Sequence, residues 1–147
     1  MPQDRIRDRA AYEFFGRIDA SDQPQWSPDA AARGAVLTNP GACYRSSVSF
    51  HAGLKRYLWC QTGAGADTRF AGGFAIYDAP EPWGPWTVSF ETEQWDVGPG
   101  ESMHLPTKWF NGDELWLLFS GDDFFSLRRG RLITNALQTS ERSTQSN

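Results

Sequence analysis

The clearest alternation in the chain lies in Tyr44–His51, where Val48 and Phe50 fall on one side of an extended strand and Ser47 and Ser49 on the other. Lys55–Thr62 predicts its antiparallel partner across a turn at Ala52-Gly53-Leu54. Tyr12–Ile18 reads as an earlier strand, closed by the polar turn Asp19–Pro24. Gly73–Asp78 and Trp86–Phe90 mix aromatic and β-branched residues, the composition of a half-buried pleated surface. Between them Ala79-Pro80-Glu81-Pro82-Trp83-Gly84-Pro85 excludes regular structure, because three prolines fix φ and remove three backbone donors. Further along, His104–Phe110 and Glu114–Ser120 predict strands joined at Asn111-Gly112-Asp113, and Asn-Gly is a strong hairpin signal. Phe125–Ile133 follows as another strand, and Ala35–Thr38 is strand-like. The one helix signal is short: Ser27 to cap, Pro28 at the first position, three alanines, and Gly34 to stop.

Short strands with turn signals about every 8–12 residues predict an all-β fold of antiparallel meander sheets. Four consecutive strands (44–51, 55–62, 72–78 and 86–91) have the make-up of one β-propeller blade, and those at 103–110, 114–120 and 125–133 begin a second. The expectation is one domain over residues 1–133, about two blades, followed by a disordered polar tail at 134–147 rich in Ser, Thr and Gln.

Composition narrows the classes of function. The 147 residues suffice for one domain, and seven Trp and ten Phe supply the bulk of a core. A formal charge of −4 with interspersed signs argues against a nucleic-acid partner. No apolar run reaches the ~20 residues that span a bilayer, which argues against a membrane partner. The charged amino terminus lacks the apolar stretch of a signal peptide, so a cytoplasmic protein is the default expectation. Cys43 and Cys60 are read as ordinary thiols. With the hairpin paired as above, Cys60 lies opposite Ser47, and a bridge to Cys43 would exceed the ~7 Å Cα limit. Gly63-Ala64-Gly65-Ala66-Asp67 lacks the third glycine of a dinucleotide loop. No zinc spacing, P-loop or HExxH helix is present, and nothing in the sequence requires a cofactor.

Several strings together resemble a known family. They are Ser47-Val48-Ser49-Phe50-His51-Ala52-Gly53-Leu54-Lys55-Arg56-Tyr57-Leu58; Gly73-Phe74-Ala75-Ile76-Tyr77-Asp78-Ala79-Pro80-Glu81-Pro82-Trp83-Gly84-Pro85-Trp86; Pro106-Thr107-Lys108-Trp109; and Phe119-Ser120-Gly121-Asp122-Asp123. Over residues 10–133 the chain looks like the carboxy-terminal part of DUF4185-like bacterial proteins. Those are related to five-bladed β-propeller glycoside hydrolases of the arabinanase and fructosidase type. The resemblance implies a propeller fold without the amino-terminal blades, which in the hydrolases carry the general-base or nucleophile aspartate.

Candidate chemistry follows from propeller geometry, in which ligands bind where innermost strands begin. That nominates Tyr44, Arg45, Glu101 and His104: an aromatic platform, a fork of donors, a carboxylate and an imidazole. The bland alternative pairs Arg45 with Glu101 as a spacer between blades. Asp67 and Arg69 sit in a loop, as a ligand contact or an ion pair, and Asp122-Asp123 occupies a turn that such residues form by themselves. His51 is expected to be exposed or capping. Trp83, Trp86, Trp95 and Trp109 offer indole faces to sugars, with a core role expected for Trp86 and Trp109 and an open one for Trp83. The leading expectation is a carbohydrate-binding remnant of a glycosidase-like propeller, with an oligosaccharide ligand and no catalysis of its own. The alternatives are a glycoside hydrolase using Glu101 with Asp67 or Asp123, which needs two convergent carboxylates, and a structural self-assembling fragment. Two blades leave open apolar faces along Phe14–Ile18 and Leu115–Phe119, which predicts a two-fold homodimer unless a terminus covers one.

Overall fold

The computed structural model describes residues 3–39, 46–62, 73–92, 102–121 and 124–133. It is all-β, with antiparallel sheets of two, four and three strands in sequential order.

The first sheet is the hairpin β1 (Phe14–Ile18) and β2 (Pro24–Ser27), with a bulge at Gly16. Asp19 organises its turn, accepting the backbone N–H groups of Ser21 at 2.8 Å and Gln23 at 3.0 Å and the Gln25 side chain at 2.8 Å. These donors, the Gln23 N–H foremost, hold its carboxyl below the ordinary value. Pro24 thus opens a strand rather than ending a turn; its missing donor is tolerated at that first position. The expected helix shrinks to one 3-10 turn, Ala30–Ala32. Its cap is Asp29, which accepts from Ala31 N at 2.8 Å, while Ser27 Oγ accepts from Asp29 N. Gly34 does not merely stop the helix. Its N–H donates to the Phe15 carbonyl at 2.7 Å, drawing the chain onto β1 so closely that a Cβ would collide with the Gly16 carbonyl. Residues 35–38 form no strand.

The second sheet is the meander β3 (Ser46–His51), β4 (Arg56–Thr62), β5 (Phe74–Ala79) and β6 (Thr87–Thr92). Ser47 lies opposite Cys60, the register the sequence predicts. Cys60 is a free, fully buried thiol, and burial pushes its pKa up to about 12; Cys43 lies outside the described residues. Gly84 in the β5–β6 turn takes φ 106°, the left-handed region that favours glycine.

The third sheet is β7 (Met103–His104), β8 (Glu114–Gly121) and β9 (Phe124–Arg131). The strand expected over 104–110 is only two residues long. Pro106 lacks a ladder donor, and the chain turns instead through a 3-10 turn at Thr107–Trp109. Asn111 and Glu114 exchange backbone hydrogen bonds of 3.0 Å, so Gly112 and Asp113 are the central turn residues; Gly112 has φ 61°, glycine's place in a II′ hairpin.

The core lies between the second and third sheets: Leu58, Cys60 and Phe74 from one, Met103, Leu105, Leu115, Leu117 and Phe119 from the other. The expected open face along Leu115–Phe119 is therefore closed, since its inward side chains fill this core. The β3 strand turns its serine side inward. Ser47 Oγ donates to the Met103 carbonyl at 2.8 Å and Ser49 Oγ to the Leu105 carbonyl at 2.5 Å, while Val48 and Phe50 stay largely exposed. The residues expected in the tail, beyond Ile133, lie outside the described residues, as do those of the 63–67 loop.

Candidate functional site: the two faces of the four-stranded sheet

Alternation along β4 sends Arg56, Leu58 and Cys60 to one face and Tyr57, Trp59 and Gln61 to the other, and the ladder with β5 aligns Asp78, Ile76 and Phe74 with the first set. The first face meets β8 and β9 across a cleft of about 990 Å³ with Leu58, Phe74, Ile76 and Leu117 in its walls. At its rim Arg56 Nε donates to Asp78 Oδ2 at 2.6 Å, and Thr87 and Ser89 donate to Oδ1 at 2.9 and 2.7 Å. Burial alone would raise the Asp78 carboxyl. The hydrogen bonds from Ser89, Thr87 and Arg56, with the Arg56 charge, outweigh it and hold the group below its ordinary value. Asp78 is the one carboxylate among the described residues lining the cleft, and it is a saturated anion with no proton to deliver.

That sign has a pH consequence. A carboxyl depressed on folding adds stability above its unfolded pKa and loses it as pH falls through the lower folded value. Wild type is expected to exceed Asp78→Asn in melting temperature by a constant margin from neutral pH to about 5, and the margin should close below the ordinary value of 3.8. Thermal melts of both chains between pH 8 and pH 2.5 check this; a margin that widens in acid would contradict it.

The opposite face is aromatic. Trp59 stands 6.2 Å from Tyr77 and 5.1 Å from Trp86, the latter edge-to-face, and Phe50 lies 4.9 Å from Tyr57. In the β5–β6 turn, Trp83 meets Trp26 of β2 at 5.5 Å and 88°, and Trp26 meets Phe15 at 5.9 Å. The first hairpin is thereby moored to the turn, and Asn39 Nδ2 reaches the Tyr77 hydroxyl at 3.3 Å. Trp59 Nε1, Trp86 Nε1 and Gln61 Oε1 are buried without hydrogen-bond partners. Buried polar atoms of this kind are ordinarily satisfied by ordered water.

The chain matches no protein-family model, no curated protein and no solved structure. The DUF4185-like resemblance therefore rests on its own residue strings.

Of the residues singled out from sequence, Tyr44, Arg45, Asp67, Arg69, Glu101, Asp122, Asp123 and Trp95 lie outside the described residues. His104 is exposed on the outer side of the third sheet, opposite Leu118 and away from the core. Trp83 is half-buried against Trp26, less open than expected, because the β1–β2 hairpin covers one side of it. Trp86 is half-buried as a packing residue, but Trp109 is exposed with Lys108 Nζ 6.0 Å from its ring, because the 3-10 turn breaks the alternation that would have buried it. His51 is not exposed. Its Nδ1 accepts from Leu54 N at 3.1 Å, which caps the β3–β4 turn, and the ring is buried 4.6 Å from Phe110. The sequence reading missed Trp26, Trp59 and Gln61; the cue for Trp59 and Gln61 is the even spacing Tyr57, Trp59, Gln61 along β4.

Proposed function

We propose that this chain is a carbohydrate-binding module built as two adjacent propeller-type blades, with no catalysis of its own. The observation that carries the reading is the pair of half-exposed indoles, Trp26 and Trp83, set edge-to-face at 5.5 Å beside the β5–β6 turn. Sugar rings have apolar C–H faces that stack on indole, so exposed indole faces suit this ligand class. The blade reading is supported by the meander order of both sheets and by the approach of β7 to β3, the first strands of each.

Calorimetric titration against plant and bacterial oligosaccharides tests the reading. Binding to at least one of them is expected, and Trp83→Ala should weaken it about tenfold or more while the fold, followed by circular dichroism, persists. Absence of affinity across a broad glycan array would sink it. Turnover of nitrophenyl arabinosides, xylosides or fructosides would instead favour the hydrolase.

A further inference from the structure

The outer face of the third sheet carries an indole-lined depression of about 470 Å³, a volume typical of small-molecule sites. Lys108, Trp109, Asn111, Glu114, Trp116 and Leu127 line it. Trp109 is 38% exposed and Leu127 41%, so apolar surface is gathered inside one concavity rather than scattered singly.

The hairpin fixes where the polar groups stand. Asn111 and Glu114 exchange backbone hydrogen bonds of 3.0 Å in both directions, and residues opposed in this way send their side chains to one face. Trp116 lies two residues beyond Glu114 along β8 and keeps that face. Leu127 keeps it from β9, where it pairs with Leu118. Trp109 arrives from the 3-10 turn, with the Lys108 ammonium 6.0 Å from its ring. The next residue, Phe110, packs at 4.6 Å against the His51 ring and so anchors the turn to β3.

We infer that this depression binds a neutral saccharide, with a sugar ring on the Trp109 indole and its hydroxyls at Lys108, Asn111 and Glu114. The lining selects the class. An ammonium only donates, a carboxylate only accepts, and the Asn111 amide does both. A sugar ring sets hydroxyls that donate and accept around an apolar C–H face, so one ligand answers the polar groups and the indole together. The described lining holds one ammonium and one carboxylate, which favours neither sign of charge on the ligand. Arg129 approaches Glu114 only to 3.8 Å, beyond hydrogen-bond reach, and so consumes no acceptor of that carboxylate. The inference names the same ligand class as the proposed function. It shares no residue with the Trp26–Trp83 pair, so each can fail without the other.

The seven indole N–H resonances of the isotope-labelled full chain give the test, assigned by single Trp→Phe substitutions. The probes are neutral xylo-, arabino- and cello-oligosaccharides, with oligogalacturonate and chitosan oligomers as anionic and cationic counterparts. At least one neutral probe is expected to shift the Trp109 and Trp116 signals. Trp109→Ala, at an exposed position, should keep the circular dichroism of the wild type and weaken that binding about tenfold or more. Trp83→Ala should leave it unchanged. Shifts confined to Trp26 and Trp83 would overturn this inference and leave the proposed function standing, and shifts confined to Trp109 and Trp116 would do the reverse. No shift in any indole overturns both. Tighter binding of either charged oligomer at Trp109 overturns the assignment to a neutral sugar.

Discussion

Leu105→Ala is expected to destabilise the chain by about 3–5 kcal/mol, in the upper part of the range for emptying a buried leucine site. Leu105 is 1% exposed and packs where the second and third sheets share their core. Cavities of this kind cost less when the backbone can sink into them. Here it cannot readily do so, because the Leu105 carbonyl is held by Ser49 Oγ at 2.5 Å and the next residue is a buried proline, Pro106. Urea denaturation should show a lower midpoint with little change in slope, and the melting temperature should fall by roughly 2–4 °C per kcal/mol. A cost below about 1 kcal/mol would mean that the two sheets do not share the core described.

Gly34→Ala is expected to cost about 2–3 kcal/mol through a mechanism that has nothing to do with helix termination. The added methyl would occupy the position of the Gly16 backbone carbonyl, a group that cannot rotate aside as a side chain would. Relief requires moving residues 33–35 away from β1, which breaks the 2.7 Å bond from Gly34 N to the Phe15 carbonyl. The damage should be local. Limited proteolysis between residues 18 and 36 should accelerate, while the near-ultraviolet signature of the second and third sheets is retained. Unchanged proteolysis and stability would show that the segment is not seated on β1.

These two sites also show what could be read before folding. The period of two around Val48 and Phe50 located β3 and its register with β4, down to Ser47 opposite Cys60, because strand alternation and a short turn are both local. Alternation fixes two faces but does not say which one is buried. The inward turn of the serines is decided by β7 and the residue after it, since the Met103 and Leu105 carbonyls need donors and find two hydroxyls at the right interval. Glycine at 34 was legible as a stop but not as a contact, since its partner at Gly16 lies in another element. The three alanines promised more helix than the chain makes; they bury no side chain and so have little to stabilise more than one turn. For the site, Trp83 was legible from its proline-bounded turn. Trp26 was not, because β2 begins at a proline and is visible only through its pairing with β1.

The serine contacts between β3 and β7 bear on how the chain folds. Each joins residues 56 positions apart, whereas β3 with β4 and β8 with β9 close over a few residues. Loop-closure entropy grows with the length enclosed, so the two hairpins can form early and independently while the junction between them waits. Until it closes, Leu58, Leu115 and Leu117 face water with their strands already made. The interval during which this chain is most open to capture by a neighbour, or by a chaperone, is therefore set by two hydroxyl groups finding two carbonyls across the middle third of the sequence.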